Sequence, residues 1–179
     1  MDILNLIINN KEERLLKLIA KTGFYFMPFL ELLNLHELTV NSCLNKGLIK
    51  KEKPVMVFGK FLSPYRLTDY GKTIINTLYL ITPYKDNIRH IEHDYMLAKI
   101  YLSLSVEERE SWVTEGELLI RYPNSSVVDG LFTDLDGHLV GVEVITSNYS
   151  ENDIALKTDF ISRYCDKAII MNYKDLVRR

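Results

Sequence analysis

The chain has 179 residues, 47% of them hydrophobic and 26% charged, with a formal net charge of −2, and it can bury a proper core in one compact domain or two small ones; two are expected. Its two cysteines, Cys43 and Cys165, lie far apart with no CxxC partner, which excludes a disulfide framework or a zinc site and leaves two buried thiols. No apolar run approaches the roughly 20 residues that span a bilayer, and the acidic start MDILNLIINNKEER lacks the basic stretch of a signal peptide, so no membrane partner and a cytoplasmic location are expected.

The charge is uneven along the chain. Residues 1–80 carry 11 Lys and Arg against 7 Asp and Glu, a net +4, whereas residues 81–179 carry 11 against 17, a net −6. A basic front suits contact with phosphates.

KEERLLKLIAKTG (11–23) sets Leu15, Leu16 and Ile19 on one helical face and stops at Gly23. MPFLELLNL (27–35), with Pro28 in its first turn, predicts a short second helix. HELTVNSCLNKGLIKKE (36–52) predicts a third, with Leu38, Val40, Cys43 and Leu44 inward and Glu37, Thr39, Asn41, Ser42 and Asn45 outward, ending at Gly47 before a strand LIKKE. LIKKE and FLSPYRLT (61–68) then form two strands joined by a lysine-bearing loop, KPVMVFGK (53–60), and Thr68 caps a further helix through RLTDYGKTII. This order resembles a winged helix-turn-helix. The resemblance implies a double-stranded DNA partner, with Thr39, Asn41, Ser42, Asn45 and Lys46 of the third helix and Lys50, Lys51, Lys53 and Lys60 of the wing as its contacts. Such a fold would work as a homodimer on a two-fold site.

Thr82-Pro83 breaks the chain, and a long helix from Ile88 places Ile91, Tyr95, Leu97, Ala98, Tyr101 and Leu102 at helical intervals, which predicts a linker over 81–104 between domains at 1–80 and 105–179. His90 and His93 share its face; without a third ligand at metal spacing, one of them is expected to orient a neighbour by a hydrogen bond where the domains meet. Ser105 and Glu108 form a capping box, Trp112 plugs the following junction, and WVTEGELLIRYP suits either a helix end or an edge strand. Asp136-Gly137 is a hairpin turn between the strands of VVDGLFTDLDGHLVGVEVITS (127–147), and pairing about it brings Asp129 near Glu143. An amphipathic helix over 150–165, capped by Ser150, buries Ile154, Leu156, Phe160, Ile161 and Tyr164, and KAIIMNY (167–173) reads as a buried strand.

The order α-β-β-β-α-β is similar to the core of the restriction-endonuclease-like PD-(D/E)xK superfamily, so the fold class expected is α+β, a winged helix-turn-helix followed by a small restriction-endonuclease-like α/β domain. YRLTDYG, EHDYMLAKIYLSL, SWVTEGE, VVDG, and GVEVITS followed by a helix with Lys157 and Tyr164 together resemble the replication-relaxation family of plasmids and other mobile elements, over roughly residues 10 to 170. The resemblance implies a DNA-binding accessory or regulatory protein acting in replication, relaxation or mobilisation, with a replication or mobilisation protein as partner, and a nuclease-like domain that has often lost its catalytic set.

The nuclease chemistry implied by that superfamily needs an acid on a first helix, an Asp at the start of a strand, and a carboxylate two residues before a lysine. Glu115 (or Glu117), Asp129 and Glu143 match; Ile145 stands at the lysine position, Val128 replaces the usual proline, and Lys157 on the next helix is the substitute cation. No cofactor is expected unless the site is competent, in which case Asp129 and Glu143 would hold Mg2+ or Mn2+ for a metal-dependent nuclease. Without a metal, Glu143 in an apolar strand still needs a partner, Lys157, Arg163 or backbone amides, because an unpaired buried carboxylate is expensive to ionise.

Overall fold

The computed structural model describes residues 6–173; residues 1–5 and 174–179, the outer ends of the two expected domains, lie outside the described residues. The chain is α+β and divides into two compact units, Met1–Ile91 and Glu92–Arg179. Among the described residues no helix is long and apolar enough to cross a membrane.

In the first unit, α1 (Asn10–Thr22) starts at a capping box of Asn9 and Glu12 and ends at Gly23, whose φ of 92° only glycine adopts freely. It buries Leu15, Leu16, Leu18 and Ile19. The expected second helix is instead two 3-10 turns, Met27–Phe29 and Glu31–Leu33, which Asn34 ends in the left-handed region at φ 50°. Before them, Tyr25–Phe26 forms a short strand, β1.

The third expected helix is α2 (Glu37–Asn45), but its phase differs from expectation. Val40 and Cys43 face the core and bring Thr39 with them, whereas Leu38 is 79% exposed. Next, β2 (Ile49–Lys51) pairs antiparallel with β5 (Pro64–Leu67), and β1 adds to the other edge of β5. The segment expected to be a loop contains a second, tighter hairpin, β3 (Val55–Val57) and β4 (Lys60–Leu62), turning at Phe58-Gly59 with both residues at positive φ. That pair of dihedrals matches the two-residue turns whose twist suits a β-ribbon. Helix α3 (Asp69–Tyr79) is capped by Thr68 as expected; Gly71 in its first turn is required because a Cβ there would lie 2.0 Å from the Leu48 carbonyl oxygen. Residues 80–87 then return to α1, the Tyr84 amide donating to the Ala20 carbonyl at 2.7 Å. The part expected to begin a linker is therefore core of the first unit.

A 3-10 turn at Ile88–His90 ends the first unit, α4 (Ile91–Ser103) enters the second at Glu92, and α5 (Val106–Ser111) follows with its Ser105/Glu108 capping box formed. WVTEGELLIRYP resolves into a two-residue strand, β6 (Val113–Thr114), and α6 (Glu115–Arg121). Strands β7 (Gly130–Thr133) and β8 (Leu139–Ile145) form the expected hairpin, α7 (Glu151–Tyr164) crosses over, and β9 (Lys167–Asn172) returns parallel to β8. The sheet order is β6-β7-β8-β9.

Leu118, Val127, Val128, Leu131 and Phe160 pack into one core cluster. Trp112 lies in T-shaped contact with Tyr101 and stacked on Phe132, over Gly130, where any Cβ would fall inside the indole ring. Two expectations fail in this layer. Only Phe160 of α7 is fully buried, Ile154, Leu156 and Tyr164 being exposed, and β9 is a half-exposed edge strand with Ile170 outward rather than a buried one. An edge strand needs apolar residues on one face only. Cys43 is buried, with its thiol pushed up to about 12 by burial and by Glu12, whereas Cys165 is only half-buried.

Candidate functional site

The hairpin turn at Asp136-Gly137 sets the register Gly130↔Val142, which carries Asp129, just before β7, alongside Glu143 of β8. Asp129 and Glu143 are 3% and 1% exposed. Each carboxylate is built into the backbone of the other strand: the Asp129 amide donates to Glu143 Oε2 at 3.2 Å, and the Val144 amide donates to Asp129 Oδ2 at 2.8 Å. Two acids this close in an apolar sheet repel each other, so positive charge must gather around them.

It comes from two helices. On α7, Lys157 points inward while the residues around it point out, placing Nζ 3.3 Å from Glu143 Oε1 and donating to the Val127 carbonyl at 2.5 Å. Glu143 is thus met by a cation from the helix that follows β8, the expected substitute for a lysine at Ile145. From α4, the His93 ring contacts Asp94 Oδ1 through Nδ1 at 3.0 Å and Asp129 Oδ2 through Nε2 at 3.1 Å. Burial opposes a charge on this ring, but the carboxylates of Asp129 and Asp94 outweigh burial and raise its pKa to about 10. His93 is therefore an imidazolium at neutral pH, donating through both nitrogens. Of the two histidines expected on this face, His90 is exposed, and both hydrogen bonds of His93 run to residues of the second unit.

Glu143 has one further donor, the Tyr149 hydroxyl at 2.8 Å from Oε1. Even so, burial and the Asp129 charge prevail over Lys157 and Tyr149 and raise Glu143 to about 7. Tyr149 is pushed up in turn by burial and by the same two acids. At the start of α6, the two candidate glutamates divide: Glu117 closes a capping box with the Thr114 amide at 2.8 Å, whereas Glu115 accepts no hydrogen bond among the described residues. Burial raises Glu115, with Lys157 and His93 opposing and Asp129 and Asp94 reinforcing the shift. A pocket of about 30 Å³, room for about one water, opens beside Glu143 and Lys157 between Ile145, Ile154, Ile161 and Ile170.

Contacts thus join three of the expected residues, Asp129, Glu143 and Lys157, and add His93, Asp94 and Tyr149, with Glu115 near enough to feel their charge but bonded to none of them among the described residues. Four carboxylates face two cations, so with every acid ionised two negative charges remain uncompensated. Glu115, Asp129 and Glu143 do not bring one ligand oxygen each within 4.8 Å of one another, so of the expected acids Asp129 and Glu143 alone would offer oxygens to a hard divalent cation such as Mg2+ or Mn2+. Arg163, the other partner considered for Glu143, instead pairs with Asp159 on the outer face of α7.

The residues expected to face DNA lie in the first unit and divide into two groups. Thr39 is buried. Ser42 and Lys46 turn toward α1, where Ser42 Oγ and Lys46 Nζ each donate at 2.6 Å to Glu12 Oε1, which leaves Asn41 and Asn45 as the exposed candidates on α2. From β2 to β4, Lys50, Lys51, Lys53 and Lys60 are all exposed. Lys50 lies 3.5 Å from Glu52 and Lys51 over the Tyr65 ring, while Lys53 and Lys60 have no ion pair among the described residues. Arg66 and Lys72 are occupied by Glu52 and Asp86.

A third cluster, Asp134, Asp136 and His138, sits at the β7-β8 turn, where Lys167 already neutralises Asp134 at 2.7 Å. Compared with protein-family models, with curated proteins and with solved structures, the chain matches none.

Proposed function

We propose that the chain is a double-stranded DNA-binding accessory or regulatory protein of a mobile element, acting in its replication, relaxation or mobilisation. On this reading the first unit is a winged helix-turn-helix and the second a restriction-endonuclease-like domain. The supporting observation is that Lys50 and Lys51 of β2, Lys53 after it and Lys60 of β4 are all exposed, as are Asn41 and Asn45 of α2 in the same unit. Lysines on a ribbon neutralise backbone phosphates, and asparagines can read adenine edges.

Titrating fluorescently labelled duplex with protein across salt tests this. Four phosphate contacts predict a salt slope of about −3.6 and an affinity loss of roughly a hundredfold between about 50 and 200 mM salt. Replacing Lys53 and Lys60 by alanine should lower that slope by about two. Binding that ignores salt would rule the reading out.

A second reading, hydrolysis of a phosphodiester, is favoured by the contact between Lys157 and Glu143. Attack of water on phosphorus breaks one P–O bond and builds negative charge on the non-bridging oxygens, which Lys157 is placed to offset. Glu143, raised to about 7, is suited to take the proton that the water loses. A divalent ion, if bound by Asp129 and Glu143, would supply polarisation of the scissile phosphate. Incubation of supercoiled plasmid with Mn2+ tests this reading: nicking should vanish in Glu143→Ala and Lys157→Ala, and Ile145→Lys should restore part of it in the Lys157→Ala background. Wild-type protein that leaves the plasmid supercoiled is an accessory protein only.

A further inference from the structure

The β3-β4 ribbon has two unlike faces. Val57 is 1% exposed and anchors one face to the first unit. On the other, Met56 and Phe61 stand directly opposite each other across the strands, 48% and 72% exposed. Directly paired residues have their Cβ atoms about 5 Å apart, so the two side chains form one apolar knob. Single exposed apolar residues need no explanation; a phenylalanine and a methionine paired on an outward ribbon face do.

The surroundings of the knob narrow its occupant. Lys60 precedes Phe61 and pairs with Val57 on the opposite face, Lys53 precedes β3, and Lys50 and Lys51 lie on β2 of the three-stranded sheet, while the only carboxylate along 49–67, Glu52, is held by Arg66 at 2.6 Å. Lys53 and Lys60 have no ion pair among the described residues, and an apolar knob on a segment this rich in exposed lysines complements a polyanion with apolar surface inside it. Duplex DNA has that composition, phosphates outside and stacked bases within. The turn at Phe58-Gly59 lies one residue pair beyond the knob, so Met56 and Phe61 sit near the ribbon tip.

We propose that Met56 and Phe61 form a wedge that enters a base step from the minor groove, unstacking it and bending the duplex, while the flanking lysines hold the adjacent phosphates. This rests on the DNA-binding reading and deepens it: affinity comes from the lysines, and deformation of the duplex from the knob. Wedges of Phe or Met act this way in architectural DNA-binding proteins, and pyrimidine–purine steps yield most easily. The ribbon would then favour sites by their flexibility rather than by their base edges.

The test uses the full chain and mixed-sequence duplexes carrying the fluorescent base 2-aminopurine at pyrimidine–purine steps, with end labels that report bending by energy transfer. Wild-type protein should raise the 2-aminopurine signal several-fold and bring the ends closer. Phe61→Ala and Met56→Ala, each checked by thermal unfolding, should lose most of both signals and keep the salt slope; Lys53→Ala and Lys60→Ala should lower the slope instead. Salt-dependent binding with no unstacking overturns the wedge and leaves the DNA-binding reading intact. Absence of any salt-dependent binding overturns both. Self-association of the free protein that Phe61→Ala abolishes, with no change in 2-aminopurine, assigns the knob to a protein contact and overturns the wedge.

Discussion

Each unit buries a glutamate, and the two meet opposite fates. Glu12 on α1 is fully buried and accepts from the Asn9 amide, Ser42 Oγ and Lys46 Nζ. Burial pushes its pKa up, but those three donors win and hold it below the usual carboxylate range. Glu143 on β8 also has three donors, the Asp129 amide, the Tyr149 hydroxyl and Lys157, yet it is raised to about 7. For Glu143 burial, the largest effect, is reinforced by Asp129, a second carboxylate with no counterpart among the groups that shift Glu12. Glu12 is a staple that ties α1 to α2. Glu143 is held in an environment that resists its charge, which is how sites that move protons or hold cations are commonly built.

One substitution made at both positions should therefore act with opposite signs, and this is the largest effect expected. Glu12→Gln removes the charge from two charge-assisted hydrogen bonds and should destabilise by about 2 kcal/mol. Glu143→Gln removes the repulsion with Asp129 and should stabilise by about 1 kcal/mol near pH 8, after the loss of the Lys157 pair is counted. Urea unfolding midpoints decide the matter. A Glu143→Gln chain as damaged as Glu12→Gln would mean that the second cluster is merely another staple.

The same contrast predicts opposite pH dependences. Glu143 binds its proton more tightly folded, at about 7, than unfolded, at 4.5, so its contribution to stability falls as pH rises through that window. His93 is raised from 6.5 to about 10; its contribution is fully present below 6.5 and is lost as pH climbs toward 10. Glu12 is lowered, so its contribution is present above 4.5 and is lost as pH falls through its folded value. Trp112 is the chain's single tryptophan and belongs to the second unit. Thermal unfolding followed by its fluorescence should shift down by roughly 5 °C or more between about pH 5 and pH 9. A Trp112 transition that moved up with pH would break the assignment of His93 and Glu143.

What sequence reading could see of this contrast follows from how each contact is made. Asp129, Glu143 and Lys157 were legible because a tight turn closing at Gly137 fixes a strand register and a helix crossover brings one lysine over it. His93 reached the page only as an orienting histidine, since its contact with Asp129, 36 residues on, depends on how α4 packs. Tyr149 stands in a loop with no periodicity to mark it. Both anchors of the Glu12 staple, Ser42 and Lys46, read as outward polar residues; a fully buried glutamate on α1 had to be known before they could be turned inward. The apolar run of β9 was read as a buried strand because composition does not state sheet order.

The smallest predicted effect is the sharpest comparison, because it deletes one neutral donor from each acid. Ser42→Ala takes a hydroxyl from Glu12, and Tyr149→Phe takes one from Glu143; a lost hydrogen bond to a charged group costs about 1.5 kcal/mol. Glu12 is charged throughout the neutral range, so Ser42→Ala should show that loss at every pH above about 5. Glu143 is charged only above about 7, where the hydroxyl favours the ionised form. Tyr149→Phe should therefore leave stability nearly unchanged near pH 5, lower it near pH 9, and raise the Glu143 pKa further, which carboxyl-directed NMR would register. Equal losses at both pH values would show that Tyr149 serves packing rather than the charge state of Glu143.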